Sequence, residues 1–269
     1  MKKTLAIVAL VAVAWAAAYA TSYLGSVVNS WEGKYEGTGT SYPLSLAYGD
    51  GYIWLGHHTY FIQRIASTGS IVDLIGFSGR PGDGLGYQKT TEYLYFACSD
   101  KGVCWREATT GSTVGSFGLP PGATYLEALD FYNGNPTAPL WLGDLRAWRL
   151  WNLTSAGSVV RSITTPFGST LGVAYDGDTA GGPFLFAASS SVPPGIYALD
   201  PASGSIRYSF STEVCTHGIG GLSWDGTYLW ALDKGPESPH PGMVYQLIAH
   251  EPNTGVAPAS LGRIKALYQ

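Results

Sequence analysis

Beyond its first twenty residues the chain sets apolar and polar positions in alternation, in short runs closed by Gly, Asn-Gly, Asp-Gly or Ser-Gly. Period-two alternation over a few residues predicts half-buried β-strands, and the closing residues predict tight turns. The runs repeat. Gly-Ser followed by an alternating apolar stretch occurs at Gly25 (SVVNSW), Gly69 (SIVDLI), Gly111 (STVGSF), Gly157 (SVVRSI) and Gly204 (SIRYSF), at spacings of 44, 42, 46 and 47 residues. A degenerate sixth copy begins at Thr254-Gly255. Between these markers stands a second phrase, SLAYGDG (45–51), GVAYDGD (172–178) and GLSWDGT (221–227), with weaker forms at Gly86-Tyr87 and ALDFYNG (128–134). Its Asp-Gly and Asn-Gly pairs tolerate positive φ and mark hairpins. A second strand follows each turn (YIWLG, YLYFA, PLWLG, FLFAA, YLWAL), then a third such as FIQRIA, VCWREA, IYALD or VYQLI.

Four short strands in a unit of about 45 residues define a β-propeller blade. The reading is all-β, a five-bladed β-propeller with four-stranded blades at about 44–77, 86–117, 126–164, 171–210 and 219–248. A β-sandwich would not require turn phrases at fixed phase. Six candidates compete for five outermost strands. Residues 26–31 match the Gly-Ser phrase better than the proline-interrupted tail 256–269, so the N-terminal strand is expected to close the ring beside Val244–Ile248. The surplus tail could cover that edge or pair with another molecule.

Residues 1–20 carry a different pattern. Lys2 and Lys3 precede an apolar run, and Ala18-Tyr19-Ala20 places small residues where a leader is cut, so 1–20 is expected to be a cleaved signal peptide and 21–269 the propeller. The run is short for a spanning helix, and no later stretch is apolar enough to cross a bilayer. The expected location is therefore secreted, periplasmic or at the cell surface.

Composition narrows the partners. Acidic residues number 19 and basic ones 15, for a net charge of −4, and loss of the two leader lysines would make it −6. That balance gives no reason to seek nucleic acid. Glycine at 36 and aromatics at 13% suit turns and packed strands rather than a coiled coil or a disordered chain. Trp105, Trp148 and Trp151 fall on or beside third strands and are candidate platforms for glycan or protein contact.

Tyr175-Asp176-Gly177, Trp224-Asp225-Gly226, Tyr228-Leu229-Trp230 and Leu199-Asp200-Pro201 give the chain its family likeness. It resembles exported bacterial propellers of the YVTN/NHL-type or glutaminyl-cyclotransferase-like group, over residues 21–269. The resemblance implies the fold and is shared by enzymes and non-enzymes. The Glu-centred substrate motif of the cyclotransferases and the full ligand set of the propeller lactonases are not recognisable.

In a propeller the first strands line a central channel, and ligands usually sit on the face of the loops that enter them. Aligned second strands place His57, Cys98, Asp144, Ser189 and Asp233 around that mouth, beside His58, Asp100, Lys101, Arg146 and Lys234. Tyr125 and Glu127 precede the inner strand of blade three, and Cys215, Thr216 and His217 that of blade five. Glu127, His217, Asp144 and Asp233 are the candidate catalytic groups if the protein is an enzyme. His57, His58, Asp100, Tyr125, Arg146 and Lys234 are candidate ligand contacts. Strand-end Asp residues also commonly accept hydrogen bonds from their own turns, which would explain Asp144, Asp233 and Asp100 without a ligand. No cofactor is implied; a divalent metal would need His57, Asp144, Asp233, Glu127 and His217 together, and adjacent His57 and His58 point to opposite faces.

Cys98 and Cys104 flank a turn. If Ser99 faces Val103, the two lie directly opposite, and export would favour a disulfide between them. Cys215 is the odd thiol. Three functions follow. The first is a non-catalytic propeller binding a protein, glycan or surface component through the loop face. The others are a metal-assisted hydrolase, lyase or lactonase, and a self-assembling subunit that uses a surplus edge strand.

Overall fold

The computed structural model describes residues 24–33, 42–58, 61–76, 83–98, 100–189, 195–211, 214–234 and 242–250. The leader 1–20 and the tail 256–269 lie outside the described residues, as does Ser99. Among the described residues no helix is long and apolar enough to cross a membrane.

Twenty strands form five four-stranded antiparallel sheets. Blade one comprises β2 (Pro43–Gly49), β3 (Tyr52–His57), β4 (Phe61–Ala66) and β5 (Ile71–Gly76). Blade two has β6 (Gly84–Gln88), β7 (Tyr93–Ala97), β8 (Val103–Glu107) and β9 (Thr113–Phe117). Blade three has β10 (Leu126–Phe131), β11 (Leu140–Asp144), β12 (Arg149–Leu153) and β13 (Val159–Thr164). Blade four has β14 (Thr170–Asp176), β15 (Phe184–Ser189), β16 (Gly195–Leu199) and β17 (Ile206–Ser211). Blade five combines β18 (Ile219–Trp224), β19 (Leu229–Asp233) and β20 (Met243–Leu247) with the N-terminal β1 (Val27–Glu32). β1 lies antiparallel to β20, with Trp31 opposite Val244 and Val27 opposite Leu247, so the N-terminal strand closes the ring. The innermost strands meet in the order β2, β6, β10, β14, β18 and back to β2.

Glycine in the inner strands permits that meeting. A Cβ on Gly84 would stand 2.5 Å from the Leu129 nitrogen, and one on Gly221 2.6 Å from the Leu46 nitrogen. Backbone on backbone leaves no room for a side chain.

Each seam between blades is closed by one repeated aromatic pair. The third residue of each second-strand phrase packs on the aromatic that ends the next blade's inner strand. The pairs are Trp54–Tyr87 (5.3 Å between ring centres), Tyr95–Phe131 (4.8 Å), Trp141–Tyr175 (5.8 Å), Phe186–Trp224 (5.9 Å) and Trp230–Tyr48 (6.4 Å). Burying such rings contributes the largest apolar areas available to a chain, and their repetition distributes the core over five seams. Trp151 is buried in the seam between blades two and three rather than offered as a platform, whereas Trp148 is 56% exposed.

The outermost strands are apolar and exposed at Val27, Val28, Ile71, Val72, Leu74, Val114, Val159, Val160 and Ile206. On two of them a side chain takes up the next backbone amide: the Asn29 carboxamide oxygen accepts from Ser30 N–H (2.9 Å) and the Asp73 carboxylate from Leu74 N–H (2.8 Å). Such self-capping blunts a strand edge as a pairing template.

Candidate functional site

At the mouth where second strands end, most of the described candidates are already paired. Asp144 is fully buried and accepts from the N–H groups of Thr124 (2.5 Å), Tyr125 (2.9 Å), Arg146 (2.7 Å) and Ala147 (2.7 Å) and from the Thr124 hydroxyl (3.2 Å). Burial alone would raise its pKa; the four backbone donors outweigh it and hold the carboxyl below its ordinary value. Asp144 thus ties the loop entering β10 to the loop leaving β11. Asp233 does the same in blade five, accepting from Thr216 N–H at 2.9 Å, whereas Ser189 in blade four accepts from Gly195 N–H at 3.1 Å and so joins the end of β15 to the start of β16.

The structure brings the other candidates together in pairs. His217 Nδ1 lies 3.5 Å from the Asp233 carboxylate. Glu127 of blade three reaches across the channel to Lys234 of blade five, 4.0 Å away. The Arg146 guanidinium sits 4.6 Å over the Tyr125 ring. His57 and His58 part company, as strand alternation requires. His57 is buried, bonded through Nε2 to Gln63 Oε1 at 3.1 Å, and burial outweighs that bond to bring its pKa down to about 4. His58 stacks on Tyr42 at 5.1 Å. Asp100 is exposed at the tip of its hairpin. Among the described residues no three of His, Cys, Asp or Glu come together in a group that could hold a metal ion.

The cysteine hairpin differs in register from the expectation. Phe96, not Cys98, is opposite Cys104, and Cys98 N–H donates to Gly102 O at 2.8 Å. Gly102 at φ 101° takes the left-handed position that tightens the loop, which moves the pairing along by two residues. The cysteines are therefore diagonal neighbours, with sulfurs 3.0 Å apart and no bond between them.

A cavity of about 560 Å³ opens at the other end of the channel, among the turns that follow the inner strands. Its wall is the repeated phrase itself. Tyr48, Phe131, Tyr175 and Trp224 present themselves beside the turn residues Asp50, Lys89, Tyr132, Asn133, Asp178 and Asp225. Hydrogen bonds from turn to turn lace the blades together. The Tyr87 hydroxyl donates to Asp50 (2.9 Å), which also faces Lys89 Nζ at 3.3 Å. Asn133 donates to Tyr87 O (2.9 Å) and accepts from Lys89 N–H (2.7 Å). The Tyr132 hydroxyl donates to Asp178 at 2.9 Å; burial first and this bond second push that phenol up to about 12. Asp225 accepts from Thr227 N–H, Tyr228 N–H and the Trp230 indole at 2.7, 2.7 and 2.8 Å.

Asp130 and Ser223 lie deeper. Each precedes the inner-strand aromatic and accepts the backbone N–H of the aromatic in the following blade: Tyr175 to Asp130 at 2.7 Å, Tyr48 to Ser223 at 2.9 Å. Asp130 is 6% exposed, and burial pushes its carboxyl up to about 7 against the opposing backbone donors. Asp130 lies inside the phrase ALDFYNG, whose Asn-Gly turn dominates its pattern. The signal was there, since the equivalent positions hold Ala47, Gly86, Ala174 and Ser223. An acid in a slot otherwise filled by small residues is the departure from the repeat that marks the place.

The C-terminal end of the described chain is anchored beside this mouth. His250 Nε2 meets the buried Asp176 carboxylate at 2.7 Å and its Nδ1 the Tyr208 hydroxyl at 2.7 Å, with the ring against Trp224.

No protein-family model matches the chain, and no curated protein matches its sequence. Among solved structures, hydrazine synthase of Kuenenia stuttgartiensis is similar over 75% of this chain and 58% of that one, at a TM-score of 0.47 and 13% identity. The five-bladed architecture stands on the strand pairing described above.

Proposed function

We propose that this is an exported, non-catalytic binding propeller that takes a glycan at the channel mouth formed by the turns after the inner strands. One observation carries the reading: the cavity of about 560 Å³ whose wall combines the aromatic residues Tyr48, Tyr132, Tyr175 and Trp224 with the carboxylates Asp50, Asp130, Asp178 and Asp225. Carboxylates accept hydrogen bonds, so the complementary ligand is rich in donors, as a sugar's hydroxyl groups are. Aromatic carbon beside them suits the apolar faces of pyranose rings. All four carboxylates are fixed by neighbours before any ligand arrives, and preorganisation of this kind lowers the ordering cost of binding. Acid–base catalysis is the second reading. It rests on Asp130, whose carboxyl titrates near neutrality at the cavity floor, where a general acid or base would serve.

Titration with cello-, chito- and xylo-oligosaccharides, followed by tryptophan fluorescence, tests the proposal. Saturable binding is expected, weakened about tenfold or more in Asp178→Ala and unchanged in Lys234→Ala at the opposite mouth. Absence of binding across the panel, or a dependence on Lys234 without one on Asp178, would sink it.

A further inference from the structure

At the mouth where second strands end, opposite the cavity, lies a pair of thiols with no part in the binding reading. Cys98 and Cys104 sit on the β7–β8 hairpin of blade two, half-buried, with sulfurs 3.0 Å apart. Their contact comes from the diagonal register. Diagonal neighbours on a hairpin stand about 7–8 Å apart at Cα, wider than the roughly 5.5–6 Å a relaxed disulfide prefers. Closing the bond would draw the hairpin in, and a disulfide under such tension exchanges readily with other thiols.

We propose that Cys98 and Cys104 form a thiol–disulfide exchange site that reacts with a small disulfide, with Cys104 attacking and Cys98 resolving. The environment separates the two roles. The two thiols share a hydrogen bond in which either sulfur can donate; that bond lowers the Cys104 pKa, and the Arg106 guanidinium acts on Cys104 in the same direction. The same hydrogen bond, with burial, raises that of Cys98. A thiolate attacks, so the charge belongs on Cys104. In the first step Cys104 sulfur bonds to one sulfur of the small disulfide and the other leaves as a thiolate. In the second, Cys98 loses its proton and attacks the Cys104 sulfur, forming the Cys98–Cys104 bond and expelling the second thiolate. Both cysteines are oxidised by two electrons in all, and one small disulfide is reduced to two thiols.

Intact-mass measurement of the folded full chain after incubation with oxidised glutathione tests this. The wild-type protein should lose two hydrogens, regained on adding reduced glutathione in excess. Cys98→Ser should instead gain one glutathionyl group, mapped to Cys104 by peptide mass, and Cys104→Ser should react at least tenfold more slowly at Cys98. Cys215, fully buried in the core between blades four and five, is the internal control and should stay unmodified. A wild-type chain that keeps its mass, or one that ends with glutathione on both cysteines, would overturn the proposal. Equal rates of trapping in the two variants would overturn the assignment of roles. None of these outcomes depends on whether a glycan binds.

Discussion

The Asp130 carboxylate of blade three accepts the backbone N–H of Tyr175 in blade four at 2.7 Å, deep in the channel and almost out of contact with water. The bond joins two inner strands that have no ladder between them. Burial raises the Asp130 carboxyl to about 7 in the folded chain, against about 3.9 in an unfolded one.

A carboxyl with a raised folded pKa binds its proton more tightly when folded. Between about pH 4 and pH 7 the folded state therefore holds more proton at this site, and stability falls as pH rises through that window. His57 acts oppositely. Its folded pKa is lowered to about 4, so its contribution is lost as pH falls from about 6.5 towards 4. Asp130→Asn keeps an acceptor for Tyr175 N–H and removes the charge. Urea unfolding at pH 5 and pH 8 should show the variant gaining on the wild type at the higher pH, by an amount on the order of 2–4 kcal/mol. Parallel stabilities at both pH values would refute the burial argument.

Trp230 closes the last seam. It is 1% exposed, packs on Tyr48 from blade one and Trp31 from β1, and donates to Asp225. Trp230→Ala should cost about 3–5 kcal/mol, more than Trp148→Ala at an exposed position, where a change within about 0.5 kcal/mol is expected. Chemical denaturation of the two variants side by side decides it.

Asp144 predicts a structural phenotype at the mouth where sequence reasoning sought a site. Asp144→Ala leaves four backbone donors around Thr124, Tyr125, Arg146 and Ala147 without their acceptor. The expected loss is about 2–4 kcal/mol. Because its carboxyl is held below the ordinary value, the stability it supplies is present above the unfolded pKa and fades as pH falls through the folded one. A thermal melt that matches the wild type would show the loops to be held by something else.

Gly221 tests the close approach of inner strands. A methyl group there meets the Leu46 nitrogen at 2.6 Å, whereas one at Gly76 meets nothing within 4 Å. Gly221→Ala is expected to destabilise by about 1–3 kcal/mol and Gly76→Ala by less than about 0.5 kcal/mol, as read from urea midpoints. The reverse order would mean that the ring is looser than these contacts imply.

The sequence by itself determined the architecture. Alternation at period two, Asp-Gly turns and five Gly-Ser phrases at near-constant spacing can satisfy their hydrogen bonds and bury their apolar faces only as repeated blades. The better match of residues 26–31 placed β1 against β20, because the fourth-strand pattern is local. Hairpin register was within reach for the same reason, yet the Cys98 loop slipped by two residues where Gly102 entered the left-handed region. What the tertiary structure decided is which residues meet across blades. Trp54 and Tyr87, Asp130 and Tyr175, and Glu127 and Lys234 are joined by the curvature of the ring, which no spacing along the chain encodes. So is the cavity: the turn phrases that announce the repeat become its wall only when five inner strands converge on one axis.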